Sequence, residues 1–356
     1  MAVLALPSSF IRSPRRSPHR RPGSTSAAVL SAALLAAACA GGDPGPGPES
    51  TPASTSDVGT TIANCGLDVA FDAPPERIVG LNSGSVEVLL ALGVEDRIVG
   101  AVGREESIQP QLRDAFEQLP LLDSGTEDYP SSEVILELEP ELIYSVYPSA
   151  FRDTGIASRE ELADLDVATY LAPGRCPDRD PDEPLDVEEI WAEIEEVGAL
   201  VGADDAAASL VDEQRAAIDT VRDELPDLGD LEVFWWDVGT DEPLAGACCG
   251  APGMILDELG LTNVFEDLDD HWASVSWEQV VERDPDVIVM VDFGEDDIAE
   301  KRAFIADDPT LRELRAFQQD AVVVLPFSQT TPGLQNVTAI ERLADELAGL
   351  DLDAER

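Results

Sequence analysis

The chain offers few side chains that could act as nucleophiles, general bases or metal ligands. Beyond residue 40 it has four cysteines and a single histidine, at Cys65, Cys176, Cys248, Cys249 and His271. No spacing among them matches a zinc site, and no C-x-x-C redox motif occurs. An even set of cysteines in an exported chain indicates disulfides, although the spacing leaves their pairing open. A Cys65–Cys176 bond would leave Cys248–Cys249 as a bond between neighbours.

The one enzyme class that these residues permit is an exported Cys/His hydrolase. Asp269 and Asp270 precede His271, and a free thiol at Cys248 or Cys249 would supply the nucleophile. The chain lacks a G-x-S-x-G motif, and acidic pairs carry little information in a chain with 73 Asp and Glu residues. We therefore expect a protein that is not an enzyme.

Residues suited to ligand binding follow the predicted strands. They are Asn82, Arg104, Tyr147 and Arg175 in the first half, and Trp236, Trp272, Phe293 and Phe327 in the second. Ligands of open α/β sheets lie beyond the carboxyl ends of the strands, and aromatic rings give a large contact area. We expect these eight residues to line a ligand site. Trp235 and Trp236 alternate in a strand, so one of them belongs to the core.

Strands and helices alternate along the first half. Strands are predicted at 77–81, 97–102, 142–147 and 168–171, after a hairpin at 61–72. A helix at 83–94 is expected to begin at Ser83 or Ser85 and to end at Gly93. This alternation is typical of a parallel sheet covered by helices.

The second half repeats this plan. The stretch "SSEVILELEPELIYSV" at 131–146 aligns with "SWEQVVERDPDVIVMV" at 276–291 at an offset of 145, and each predicts a helix, an acidic residue with proline, and a strand. Further strands are predicted at 231–237 and 321–326, and helices at 250–261, 297–306, 308–316 and 337–349. The fold class is α/β, with two similar Rossmann-like lobes.

A long helix is predicted between the two halves. Residues 204–226 are rich in alanine and free of glycine, with apolar residues at helical spacing. Such a helix would extend roughly 33 Å and suits a strut between lobes.

The formal net charge of −51 limits the choice of partners. The only lysine is Lys301, and no basic patch exists that would release phosphate counterions. A nucleic-acid or anionic-membrane partner is therefore not expected. The acidity suits a solvated surface in high salt.

The N-terminal segment resembles a bacterial lipoprotein signal. Residues 1–39 contain a basic region, an apolar run too short to span a bilayer, and Cys39 at the end. The usual leucine three places before the cysteine is Ala36 here, and an ordinary signal peptide is the alternative. Residues 40–57 are rich in Pro, Gly and Ser and are predicted to be a flexible tether.

Four stretches together resemble the substrate-binding proteins of ABC importers for ferric siderophores and cobalamin. They are "PPERIVGLNSGSVEVLLALGVEDRIVG", "SSEVILELEPELI", "LGLTNVFEDLDDHWASVSWEQVVERDPDVIVMV" and "AVVVLPFSQTTPG". The resemblance implies two lobes joined by one long helix, with the ligand in the cleft between them. The corresponding boundaries are 58–203 for the first lobe, 204–226 for the helix and 227–356 for the second lobe.

The resemblance also narrows the ligand. A single histidine argues against a bare metal ion, and a ferric catecholate would need an arginine cluster to balance its charge. We expect a ferric hydroxamate, with cobalamin or haem as alternatives. The protein alone is expected to bind no cofactor, because iron would arrive within the siderophore.

The family implies an ABC permease dimer with its ATPase subunits as the partner. Glu133 and Glu278 occupy matching places in the repeated stretch, where proteins of this family carry the glutamates that dock on the permease. The alternative explanation is that acidic side chains are favoured near the N-terminus of any helix, because the helix dipole is positive there. We expect a monomer that is anchored to the outer face of the cell membrane through lipidated Cys39. A sensor or scaffold lipoprotein with the same fold is a further alternative.

Overall fold

The computed structural model describes residues 59–123, 128–152, 154–226, 228, 231–294 and 297–350. The predicted signal, Cys39 and the whole of the predicted tether lie outside this part. The strands are β1 (Thr60–Asn64), β2 (Leu67–Phe71), β3 (Ile78–Leu81), β4 (Ile98–Val102), β5 (Leu142–Ser145), β6 (Ala168–Leu171), β7 (Glu232–Val238), β8 (Leu244–Gly246), β9 (Thr262–Asn263), β10 (Trp272–Ser274), β11 (Val287–Asp292) and β12 (Val322–Pro326). The helices are α1 (Ser83–Ala91), α2 (Arg113–Phe116), α3 (Ser132–Leu136), α4 (Arg159–Ala163), α5 (Val187–Val201), α6 (Asp204–Glu224), α7 (Ala251–Glu258), α8 (Trp277–Arg283), α9 (Asp297–Asp307), α10 (Arg315–Gln318), α11 (Phe327–Thr330) and α12 (Asn336–Gly349).

The first lobe is built on a parallel sheet with the strand order β4-β3-β5-β6. Every residue of β3 and β5 is buried, as expected when both faces of a sheet are covered. The predicted hairpin forms from β1 and β2, and its turn places Cys65 and Gly66 at positive φ. Asn64 hydrogen-bonds the backbone of Leu171 at 2.8 and 2.9 Å, which joins the hairpin to β6.

The second lobe repeats this order and adds to it. Parallel pairing gives β9-β7-β11-β12, which matches the sheet of the first lobe strand for strand. Two antiparallel strands extend the sheet on one side: β8 pairs with the C-terminal half of β7, and β10 pairs with β8. Strands β8, β9 and β10 were not predicted, because strands of two or three residues carry almost no alternation of apolar and polar residues.

The repeated stretch folds the same way in both lobes. Helices α3 and α8 begin after Ser131 and Ser276, whose side chains accept a hydrogen bond from the third helical N–H. After each helix an acidic residue precedes proline in the left-handed conformation, with φ 47° at Glu139 and 40° at Asp284. Strands β5 and β11 follow. The predicted duplication of the α/β plan is therefore confirmed.

The long helix α6 contacts elements of both lobes. It packs against α5 and α12. Gln214 accepts a hydrogen bond from Trp191 Nε1 of α5 at 2.9 Å and donates to the Leu334 carbonyl, just before α12, at 3.0 Å. At 21 residues it is about 32 Å long. The predicted connecting helix is confirmed, while the lobe boundaries at 203 and 227 stay a prediction.

Two predicted elements differ from the structure. The expected helix 308–316 is instead a short 3-10 turn followed by α10. Asp308 accepts hydrogen bonds from the backbone N–H groups of Thr310 and Leu311, which favours a turn over a continuous helix. Helix α1 begins after Asn82, one position before the predicted serine caps.

Candidate ligand-binding cleft

A cavity of about 610 Å³ lies between the lobes. The first lobe lines it with residues that follow β3, β4 and β5, including Asn82, Arg104 and Tyr147. The second lobe contributes the segment after β12, from Phe327 to Gln335. Both the volume and the position at the strand ends are typical of small-molecule sites in α/β proteins.

Asn82 lies in the first-lobe wall in a constrained conformation. Its φ of 146° is unfavourable for a residue other than glycine. The side chain compensates, because Oδ1 accepts a hydrogen bond from the Ser85 N–H at 3.1 Å and Nδ2 donates to Ser145 Oγ at 2.9 Å. Both ends of the amide are thereby fixed, and the residue caps α1 at the edge of the cavity.

Arg175 joins two predicted site residues across the lobes. Its guanidinium lies 5.6 Å from the ring centre of Tyr147 in the first lobe and 5.2 Å from that of Trp272 in the second. Burial lowers the pKa of Arg175. The pKa of His271 is also lowered, mainly by burial and to a smaller extent by the positive charge of Arg175. Tyr147 belongs to the cavity lining. Arg175 and Trp272 do not belong to it and lie beside the cavity, next to Tyr147.

Phe293 and Phe327 form an aromatic pair in the second lobe. Their ring centres are 4.5 Å apart, and Phe327 lines the cavity. The fully buried Lys301 lies behind them. Its Nζ donates to the Asp237 carbonyl at 2.7 Å and the Asp297 carboxylate at 2.8 Å, and also to the Val291 carbonyl. These bonds join α9 to the carboxyl-terminal ends of β7 and β11.

Trp236 does not reach the cavity, which differs from the expectation. Its side chain is fully buried, 4.9 Å from the ring centre of Trp277, and Nε1 donates to the Gly239 carbonyl at 2.8 Å. Trp235 on the opposite face of β7 is fully buried as well. The sequence pattern placed one of the two rings in the cleft, but Trp277 of α8 and Phe304 of α9 pack against the Trp236 ring.

Glu87 and Gln335 are cleft residues that sequence reasoning missed. Gln335 Nε2 of the second lobe lies 3.0 Å from both carboxylate oxygens of Glu87 in α1, and it also donates to the Ser107 carbonyl at 2.8 Å. Burial raises the pKa of the Glu87 carboxyl to about 7. The available signal was a single acid within the apolar run "SVEVLLALG".

The four cysteines of the described residues form two disulfides, Cys65–Cys176 and Cys248–Cys249. Cys65–Cys176 links the residue after Arg175 to the turn between β1 and β2, and so holds the Arg175 loop to the hairpin. The second lies near His271, because Cys248 Sγ is 3.5 Å from the Asp270 carbonyl. Neither Cys248 nor Cys249 is therefore a free thiol in this structure.

Glu133 and Glu278 are exposed in the first turns of α3 and α8. Neither belongs to the cavity lining. Within the residues that the structure describes, no group of three or more His, Cys, Asp or Glu side chains is placed to hold a metal ion. No helix in the same set has the length and apolarity to cross a membrane.

Comparison with known proteins places this geometry in a family. A cobalamin-binding protein of Halobacterium salinarum is 23% identical over 78% of this chain and 70% of its own length. A solved periplasmic binding protein from Veillonella parvula is 26% identical, with a TM-score of 0.74 over 82% of this chain and 98% of its own. The structure of an ABC-type Fe3+-hydroxamate transport system from Saccharomonospora viridis is 28% identical, with a TM-score of 0.66 over 81% and 98%. The periplasmic binding protein family model matches residues 78–329, and the chain belongs to that family.

Proposed function

We propose that this protein captures a ferric siderophore of the hydroxamate type outside the cytoplasm and delivers it to an ABC importer. The observation that carries the proposal is the chemistry of the cavity lining. Hydroxyl, amide and aromatic groups predominate, and Arg104 is the one cationic side chain among the described lining residues. A ferric trihydroxamate is neutral at its metal centre, so it needs no cluster of arginines. A ferric catecholate with three negative charges would be poorly compensated here.

The solved relative from Saccharomonospora viridis supports the same ligand class, because it belongs to an Fe3+-hydroxamate transport system. The test is a thermal-shift series with a ferric trihydroxamate, a ferric tricatecholate, cobalamin and haem. At 100 times its dissociation constant, the true ligand stabilises the folded state by about 2.7 kcal/mol. A shift with the catecholate and none with the hydroxamate would contradict the proposal.

Cobalamin is the second candidate, and a specific observation favours it. The Halobacterium salinarum relative is a cobalamin-binding protein and matches 78% of this chain. The same thermal-shift series separates the two candidates, since cobalamin contains no hydroxamate iron centre. A stabilisation by cobalamin alone would replace the siderophore assignment and leave the importer role intact.

Delivery requires a contact with the permease, and we propose Glu133 and Glu278 for it. Their support is that both are exposed and lie in equivalent first turns of equivalent helices, one in each lobe. A binding protein with two similar lobes can thereby present one carboxylate to each permease subunit. We also propose that the protein acts as a monomer anchored through lipidated Cys39. Release of a Cys39→Ser variant into the medium would support the anchor, and retention in the membrane would contradict it.

A further inference from the structure

Three of the four charged side chains in the described cavity lining are acidic. Asp123 and Asp128 lie in the exposed part of its lining, and Glu87 lies in the buried part with a residue exposure of 2%. Arg104 is the one cationic side chain of the described lining, and it is itself exposed. Of the acidic side chains in the lining, Glu87 is the one that solvent screens least, so a cation placed beside it would interact with it most strongly.

The Glu87 carboxylate has only neutral hydrogen-bond donors among the described residues. Oε1 accepts from the Gln109 backbone N–H at 2.6 Å and from Gln335 Nε2 at 3.0 Å, and Oε2 accepts from the same Gln335 nitrogen at 3.0 Å. A carboxylate offers about four lone-pair positions, so Oε2 retains acceptor capacity. A buried carboxylate without a cation is costly to ionise, and this one lines the ligand site.

We propose that the cleft selects ferric hydroxamates that carry a protonated amine, with Glu87 as the specificity-determining residue that receives the ammonium group. This inference rests on the proposed hydroxamate function and specifies it further. The iron centre of a trihydroxamate is neutral, so a pendant ammonium supplies the cation that the described neighbours of Glu87 do not provide. Gln335 holds the carboxylate from the second lobe, so recognition of the ammonium involves both lobes.

The test uses two ligands that differ by one charge. One is the ferric complex of a linear trihydroxamate that ends in a primary amine, and the other is the same complex with that amine acetylated. A hydrogen bond to a charged group contributes about 1.5–3 kcal/mol, so we expect the wild-type protein to bind the amine form roughly tenfold or more tightly. Tryptophan fluorescence titration at fixed salt and pH measures both constants.

Glu87→Gln keeps the size of the side chain and removes its charge. We expect it to lower affinity for the amine form about tenfold and to leave the acetylated form nearly unchanged. Glu193→Gln is the matched control, because Glu193 is also buried, has a pKa raised by burial to about 7, and lies outside the cavity lining. This control should keep the wild-type preference for the amine.

Each outcome decides a different point. If the wild-type protein binds both complexes equally, the ammonium proposal is overturned while the hydroxamate function stands. If it binds neither, the hydroxamate function fails and the ammonium proposal fails with it. The proposal is also overturned if Glu87→Gln and Glu193→Gln reduce the preference to the same extent. Because the ligand pair is tested on wild-type protein first, a variant that fails to fold does not prevent a decision.

Discussion

The two lobes share one sheet plan but use the end of their central strand differently. In the first lobe β3 ends in Asn82, which lies in the cavity wall. In the second lobe the matching strand β7 is paired along its upper half with β8, and β10 extends that edge. Trp236 is buried against Trp277 of α8 and Phe304 of α9, while Trp272 of β10 meets Arg175 from the first lobe. A duplicated framework thus forms the cleft, and the added strand β10 brings a second-lobe ring against a first-lobe arginine beside the cavity.

The strongest test of the symmetry is on transport. Glu133→Arg with Glu278→Arg should abolish uptake and ligand-stimulated ATP hydrolysis by the cognate importer, because two attractive contacts become repulsive. The ligand dissociation constant should stay the same, since neither residue lines the cavity. Uptake assays with each single variant as controls show whether both lobes dock. Full uptake by the double variant would remove the docking proposal.

The disulfides of the two lobes should contribute very differently to stability. Cys65–Cys176 closes a sequence separation of 111, whereas Cys248–Cys249 joins neighbours. Because a crosslink restricts the unfolded chain more when its loop is long, replacing the first pair by serine should lower the free energy of unfolding by about 3–5 kcal/mol. Replacing the second pair should cost less than about 1 kcal/mol. Chemical denaturation at constant salt measures both, and equal losses would contradict this difference.

A buried carboxyl group in each lobe predicts a pH dependence. Burial raises the pKa of Glu193 in the first lobe to about 7 and that of Asp237 in the second to about 6. The folded state therefore binds these protons more tightly than the unfolded chain. The resulting stability is complete below the ordinary carboxyl pKa and is lost as pH rises through about 7 for Glu193.

Glu193→Gln should remove its share of this slope, up to roughly 3 kcal/mol between pH 4.5 and pH 7. Asp237→Asn should flatten only the part below about pH 6. Denaturation midpoints across this range test the assignment. An unchanged slope in Glu193→Gln would show that its carboxyl group does not titrate as the geometry indicates.

The smallest expected effect separates the two tryptophans. Trp272 stacks on Arg175 beside the cavity, whereas Trp236 is enclosed by Trp277, Phe234 and Phe304. Trp272→Phe should therefore remove part of the fluorescence change on ligand binding, and Trp236→Phe should leave that change in place. If Trp236→Phe removed the fluorescence change and Trp272→Phe did not, Trp236 would be the tryptophan that senses the ligand, which would contradict this prediction.

The sequence was most informative where a pattern was local. The repeated stretch predicted both helix–strand units, since serine caps and an acidic residue before proline act within a few residues. The cavity depended on contacts that no local pattern contains. Glu87 and Gln335 are 248 positions apart, and the Trp236 ring is buried against residues of α8 and α9 that lie far along the chain. Asn82 was found because strand ends converge in any parallel sheet.

Lys301 has a consequence for covalent chemistry. It carries the only side-chain primary amine in the sequence, and its residue exposure is 1%. Amine-acylating reagents therefore have no accessible lysine while the second lobe is folded. Local opening of α9 would expose this nitrogen, whereas opening of the first lobe would not. The extent of acylation at this one position, followed by peptide mass spectrometry, therefore records how often the second lobe opens.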